Sequence, residues 1–138
     1  MCLRRRFKKG INTTVAAGSK ELLLDLEEKC CIRQFIIYID MNDSTGTKNS
    51  KLIIKIDEDE ILNESIADLV ASYGMWSADK YSNRPFQMIS YDDSTKIYRF
   101  LFLDLGRVER RFAVFFENKD TTNSVYVKTS VIYDILED

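Results

Sequence analysis

The run KIYRFLFL, residues 96–103, constrains the fold more than any other stretch of the chain. Ile97, Arg99, Leu101 and Leu103 alternate with Tyr98, Phe100 and Phe102, so a strand here has two mostly apolar faces. Such a strand belongs in the middle of a sheet that is covered on both sides. RQFIIYIDM (33–41), KLIIKID (51–57), FQMISY (86–91), RRFAVFF (110–116) and SVYVKTSVIY (124–133) are equally rich in β-branched and aromatic residues and read as further strands. The polar loop NDSTGTKNS predicts a hairpin between the first two of these, while DDST and NKDTTN supply turn signals later on.

Two segments read as helices. In KELLLDLEEKCCI (20–32), Leu22, Leu23, Leu26 and Cys30 recur at helical spacing and Ser19 can cap the start. In DEDEILNESIADLVASYG (57–74), Leu62, Ile66, Leu69, Val70 and Tyr73 form one apolar stripe, Asp57 to Glu60 suit a capping box, and Gly74 stops the helix. YDILED at 133–138 reads as a short terminal helix. The expected fold is therefore α+β, in the order α-β-β-α-β-β-β-β. It has one mixed or antiparallel sheet of about five to six strands, with the two main helices packed largely on one face. Residues 1–18 read as a flexible basic arm and residues 19–138 as the single domain, a size that matches one hydrophobic core.

What the chain lacks limits its chemistry. It has no histidine, so a Ser-His-Asp or Cys-His nucleophile cannot be built. Neither GxxxxGK[ST] nor GxGxxG occurs. The cysteines, Cys2, Cys30 and Cys31, suit a reducing compartment, and Cys30 and Cys31 read as small buried side chains. Apolar runs such as FIIYI and FLFL are too short to span a bilayer, and Asn12, Thr13 and Thr14 interrupt any signal-peptide core. A cytoplasmic protein without cofactor or metal is expected.

One enzyme pattern stands out. Asp104 ends an apolar strand, and Glu117-Asn118-Lys119 ends the next. That arrangement resembles the metal-dependent nucleases marked by an acid, a gap and then (Asp/Glu)-x-Lys. The resemblance implies Mg²⁺ held by Asp104 and Glu117, with Lys119 assisting the attacking water. The sequence departs from that pattern after the lysine, where DTTNSVYVKTS reads as turn and strand instead of helix. Two polar strand ends explain the same letters. DMNDSTG is not an EF-hand loop, because its sixth and twelfth positions hold Thr45 and Lys51 in place of Gly and an acid. The order GIN…LLLDL…FIIYID is similar to the opening of the actin-depolymerising domain, a likeness of topology alone. That family's actin-contacting helix, with its Lys-Met-x-Tyr start, has no counterpart here.

Charge is unevenly placed. The chain carries a formal net charge of −2, yet MCLRRRFKKG holds Arg4, Arg5, Arg6, Lys8 and Lys9 with no acid. Four readings of that segment stand: a solvated terminus, a nucleic-acid contact, a membrane-surface contact with Cys2 as an acylation site, or an arm folded onto acidic protein surface. The acids Asp57, Glu58 and Asp59 suit a helix cap or a basic partner. Tyr73, Trp76 and Tyr81 gather in an otherwise polar connection, the residue types that anchor protein contacts. Together these features favour a small acidic, non-enzymatic protein-binding module, of the inhibitor, immunity or chaperone-like kind. The alternatives are the nuclease, or an adaptor that meets nucleic acid or membrane through residues 1–10.

Overall fold

Residues 2–41, 46–70, 86–92 and 96–137 are described by the structure, a computed structural model. Along β4 (Cys30–Asp40), Cys30, Ile32, Phe35, Ile37 and Ile39 are buried while the residues between them are not. That alternation marks a strand with one face on the core. The same logic gives β1 (Cys2–Lys9), β2 (Thr13–Val15), β3 (Lys20–Leu26), β5 (Lys51–Ile56), β6 (Asp59–Ser65), β7 (Phe86–Asp92), β8 (Ile97–Val108), β9 (Phe112–Glu117) and β10 (Val125–Glu137) their places in two sheets. The larger sheet runs β1-β10-β4-β8-β7, with β2 also paired to β10, and the smaller runs β3-β9-β5-β6. Every pairing is antiparallel.

The pairings are nested. β5 pairs β6, β4 pairs β8, β3 pairs β9 and β1 pairs β10. A long hairpin rolled up in this way is a jelly-roll sandwich, with β2 and β7 as additions. The two sheets meet through aromatic rings. Phe35 of β4 lies 5.9 Å from Phe102 of β8 and 5.9 Å from Phe112 of β9, which joins the larger sheet to the smaller. Where the chain leaves β1 it touches both sheets, with β2 then returning to β10, at a tight crossing: Gly10 N–H donates to Thr129 C=O and Ile11 N–H to Leu23 C=O. A Cβ at Gly10 would lie 1.9 Å from Thr129 Oγ1 and 2.5 Å from Leu23 O, so only glycine fits the crossing.

This architecture corrects the α+β expectation. Most of the described chain is strand, and α-helix among the described residues is confined to 66–70. Residues 20–26 form β3 because a bulge opposite β9 falls between Leu22 and Leu24, which buries the consecutive Leu23 and Leu24 and so imitates helical spacing. Residues 57–65 do not cap a helix. Asp57 and Glu58, with φ of 51° and 72°, form a two-residue turn between β5 and β6, and only after Ser65 does helix begin. Ser65 Oγ accepts the Asp68 N–H at 3.1 Å, which makes Ser65 the cap, while Ile66 and Leu69 are buried as the apolar stripe requires. The runs 33–41 and 51–57 are strands but not a hairpin, since β4 lies in the larger sheet and β5 in the smaller. The terminal residues 133–137 continue β10.

Candidate functional site

The acid–gap–acid–x–lysine residues are not brought together. Asp104 sits on β8 in the larger sheet, its side chain 76% exposed and 3.8 Å from Arg33 Nη1. Glu117 closes β9 in the smaller sheet, opposite Lys20 and Lys51, with Lys119 Nζ 3.6 Å away. Among the described residues no group of three His, Cys, Asp or Glu side chains gathers as a metal site. The residue between Glu117 and Lys119 has the evident role. Asn118 is buried, donates to the carbonyls of Val15 and Asn123, and accepts from Ser50 Oγ and the Asp120 N–H, which ties three loops together. Cys30 is buried and its thiol is pushed up to about 12, chiefly by desolvation, so it behaves as a packed apolar group.

The basic segment is a strand, with β1 hydrogen-bonded to β10 from Cys2↔Glu137 to Lys9↔Ser130. Part of its charge is met within the protein. Arg5 makes a two-point contact with the buried Asp134 at 2.9 and 3.1 Å, and Arg33 Nε reaches the same carboxylate at 2.6 Å. Lys8 Nζ donates to Asp25 C=O at 2.9 Å. The hydrogen bonds from Arg5 and then Arg33 hold the Asp134 carboxyl at about 2. A depressed folded-state pKa stabilises the fold above the ordinary carboxyl range, and that contribution fades as pH falls toward 2. Asp134→Asn should therefore lower the unfolding free energy measured in urea near neutral pH by about 2 kcal/mol, since the charge-assisted contacts to two arginines are weakened. Arg5 is mostly exposed, which caps the effect, and the variant and wild-type midpoints should converge near pH 2.

The acids Asp57, Glu58 and Asp59 part company. The Asp57 carboxylate accepts the N–H groups of Glu109, Arg110 and Arg111 at 2.7 to 2.9 Å, and these bonds hold its carboxyl below the usual range. It thus fastens the β5–β6 turn to the β8–β9 turn and offsets the strain of its own left-handed backbone. Glu58 lies 3.7 Å from Arg111 Nη1. Asp59 is exposed on β6 together with Glu60 and Glu64. Tyr73, Trp76 and Tyr81 lie outside the described residues.

Sequence reading alone misses the edges of the sandwich. Among the described residues β1 pairs only with β10, and β6 only with β5. β1 lies over β3, as the Lys8–Asp25 contact shows, while β6 is at the far end of its sheet from β3. One side of the molecule therefore ends in a basic strand and the opposite side in an acidic one. Among the described residues three large apolar side chains are exposed: Phe7 at 58%, Ile11 at 54% and Ile61 at 45%. Phe7 lies within β1 and Ile61 within β6. On the outer face of the smaller sheet, by contrast, Phe115 is covered by the ammonium groups of Lys20 and Lys55 at 5.1 and 5.6 Å. No helix among the described residues is long and apolar enough to cross a membrane.

No known protein family matches the sequence, and no curated protein matches it either. Solved structures do match in shape. The crystal structure of the STIV MCP is similar at a TM-score of 0.50 with 9% identity, over 97% of this chain and 49% of that one. PBCV-1 VP54, fitted into a cryo-EM reconstruction of the virophage Sputnik, is similar at a TM-score of 0.49 with 8% identity, over 99% of this chain and 44% of that one. The chain thus spans about half the length of the structures it matches. The comparison with small acidic inhibitor and immunity proteins presumed an α+β build, in place of which the chain has two antiparallel sheets. At such low identity the likeness to the STIV MCP shows the fold alone, a jelly-roll sandwich.

Proposed function

We propose that this chain is a non-enzymatic protein-binding module that works by associating with other protein chains through the edges of its sandwich. The observation that carries this reading is the pair of terminal strands, β1 basic and β6 acidic, each with an exposed apolar side chain. An unpaired edge offers a row of backbone donors and acceptors, which another strand can satisfy. Service of the same fold in a viral capsid protein, the STIV MCP, is in keeping with a structural, associating role. Nucleic acid is a poorer fit to the basic segment, because Arg5 is committed to Asp134.

The test is the mass of the protein in solution. Sedimentation over a range of concentrations should give species above the 16.1 kDa monomer, and these should diminish as added salt screens the edge charges. A monomer at every concentration and salt overturns the reading.

A further inference from the structure

We infer that the partner is a second copy of this chain, joined head to tail by antiparallel pairing of β1 of one copy with β6 of the next. The inference rests on the association reading above and names its partner and register.

Charged residues on an edge strand ordinarily prevent pairing, because identical edges repel. Here the device has opposite signs on the two sides. β1 carries Arg4, Arg5, Arg6, Lys8 and Lys9, and β6 carries Asp59, Glu60 and Glu64. Two β1 edges repel one another, as do two β6 edges, but β1 against β6 attracts. The other two terminal strands lack this complement. β3 mixes Lys20 with Glu21 and Asp25 and receives Ile11 N–H on Leu23 C=O, while β7 carries only Asp92 as a charge.

The lengths match, at eight residues against seven, and Ile61 is the extra, bulged residue of β6 in its pairing with β5. One antiparallel register then aligns the chemistry. With Lys9 opposite Asp59, Lys8 falls opposite Glu60, Phe7 opposite Ile61 and Arg4 opposite Glu64. Phe7 and Ile61, two of the three exposed large apolar side chains among the described residues, would cover each other between the ion pairs. A slip of one residue sets Phe7 against a polar or inward-packed position and breaks the agreement. Glu60 already accepts Asn63 Nδ2 at 2.7 Å, which leaves lone pairs for Lys8. Because the two edges lie on opposite sides of the sandwich, the contact is heterologous and propagates into a ring or a filament.

Reversing one edge at a time tests this. Lys8→Glu/Lys9→Glu makes both edges acidic, and Asp59→Lys/Glu60→Lys makes both basic. Each variant alone should associate at least roughly tenfold more weakly than wild type, since like charges now face each other. An equimolar mixture should recover association, because every acidic edge then finds a basic one. Circular dichroism checks that each variant folds. Should a double change unfold the chain, the exposed single changes Lys9→Glu and Asp59→Lys carry the same test, as these residues face each other in the register. Variants that associate alone as well as wild type does, or a mixture that stays monomeric, overturn this inference and leave the association reading standing. A wild-type protein that never associates overturns that reading itself.

Discussion

Phe35→Ala should destabilise the fold by about 3–5 kcal/mol, the range for deleting a fully buried aromatic ring. Phe35 has no exposed surface, and its ring meets Phe102 within its own sheet and Phe112 across the sandwich. Removing it opens a cavity where the sheets are held together, and neither sheet can close the gap without moving against the other. Urea unfolding followed by circular dichroism would measure the loss. Phe7→Ala supplies the contrast: the ring is 58% exposed, and its removal should shift monomer stability by no more than about 0.5 kcal/mol. Similar losses for the two would mean that the interior is not packed as described.

Asn118→Ala should cost about 3 kcal/mol for a different reason. The side chain fills little space but satisfies four polar groups: the carbonyls of Val15 and Asn123, the Ser50 hydroxyl and the Asp120 N–H. Alanine removes all four contacts, three of them in a buried setting, and lost hydrogen bonds of buried polar groups are expensive. Ser50→Ala should cost less, since Ser50 contributes one contact to Asn118 and one to Lys119 N–H. The double variant should lose less than the sum of the single losses, because the two residues share a network. Additive losses would show that Asn118 and Ser50 act separately.

The strands themselves were legible in the letters, because residues 33–41, 51–57, 97–103, 110–116 and 124–133 combine β-branched and aromatic side chains in runs too short for helices. Their assignment to sheets was not legible. Hairpin reasoning pairs neighbours in sequence, whereas the chain here passes from β4 to β5 and from β9 to β10 by changing sheets. Two local features misled the helical reading. The β3 bulge buries Leu23 and Leu24 side by side, and the β5–β6 turn uses Asp57-Glu58 where Asn-Gly would announce a hairpin. That turn depends on Asp57 reaching three N–H groups more than fifty residues away, which no local pattern discloses. Of the proposed site, the charges of β1 and the acids near Asp59 were visible as clusters. Their placement on opposite edges is a property of the sheet order alone.

β10 carries a kinetic consequence. It is hydrogen-bonded to β1, β2 and β4, yet it is made after all three. During synthesis the larger sheet therefore lacks a middle strand until residues 125–137 have cleared the ribosome, and until then β1 and β4 each present a bare flank. Contacts such as Arg5–Asp134, 129 residues apart in sequence, form slowly, because loop closure must precede any reward. Nascent chains are thus exposed to mispairing for as long as it takes β10 to arrive.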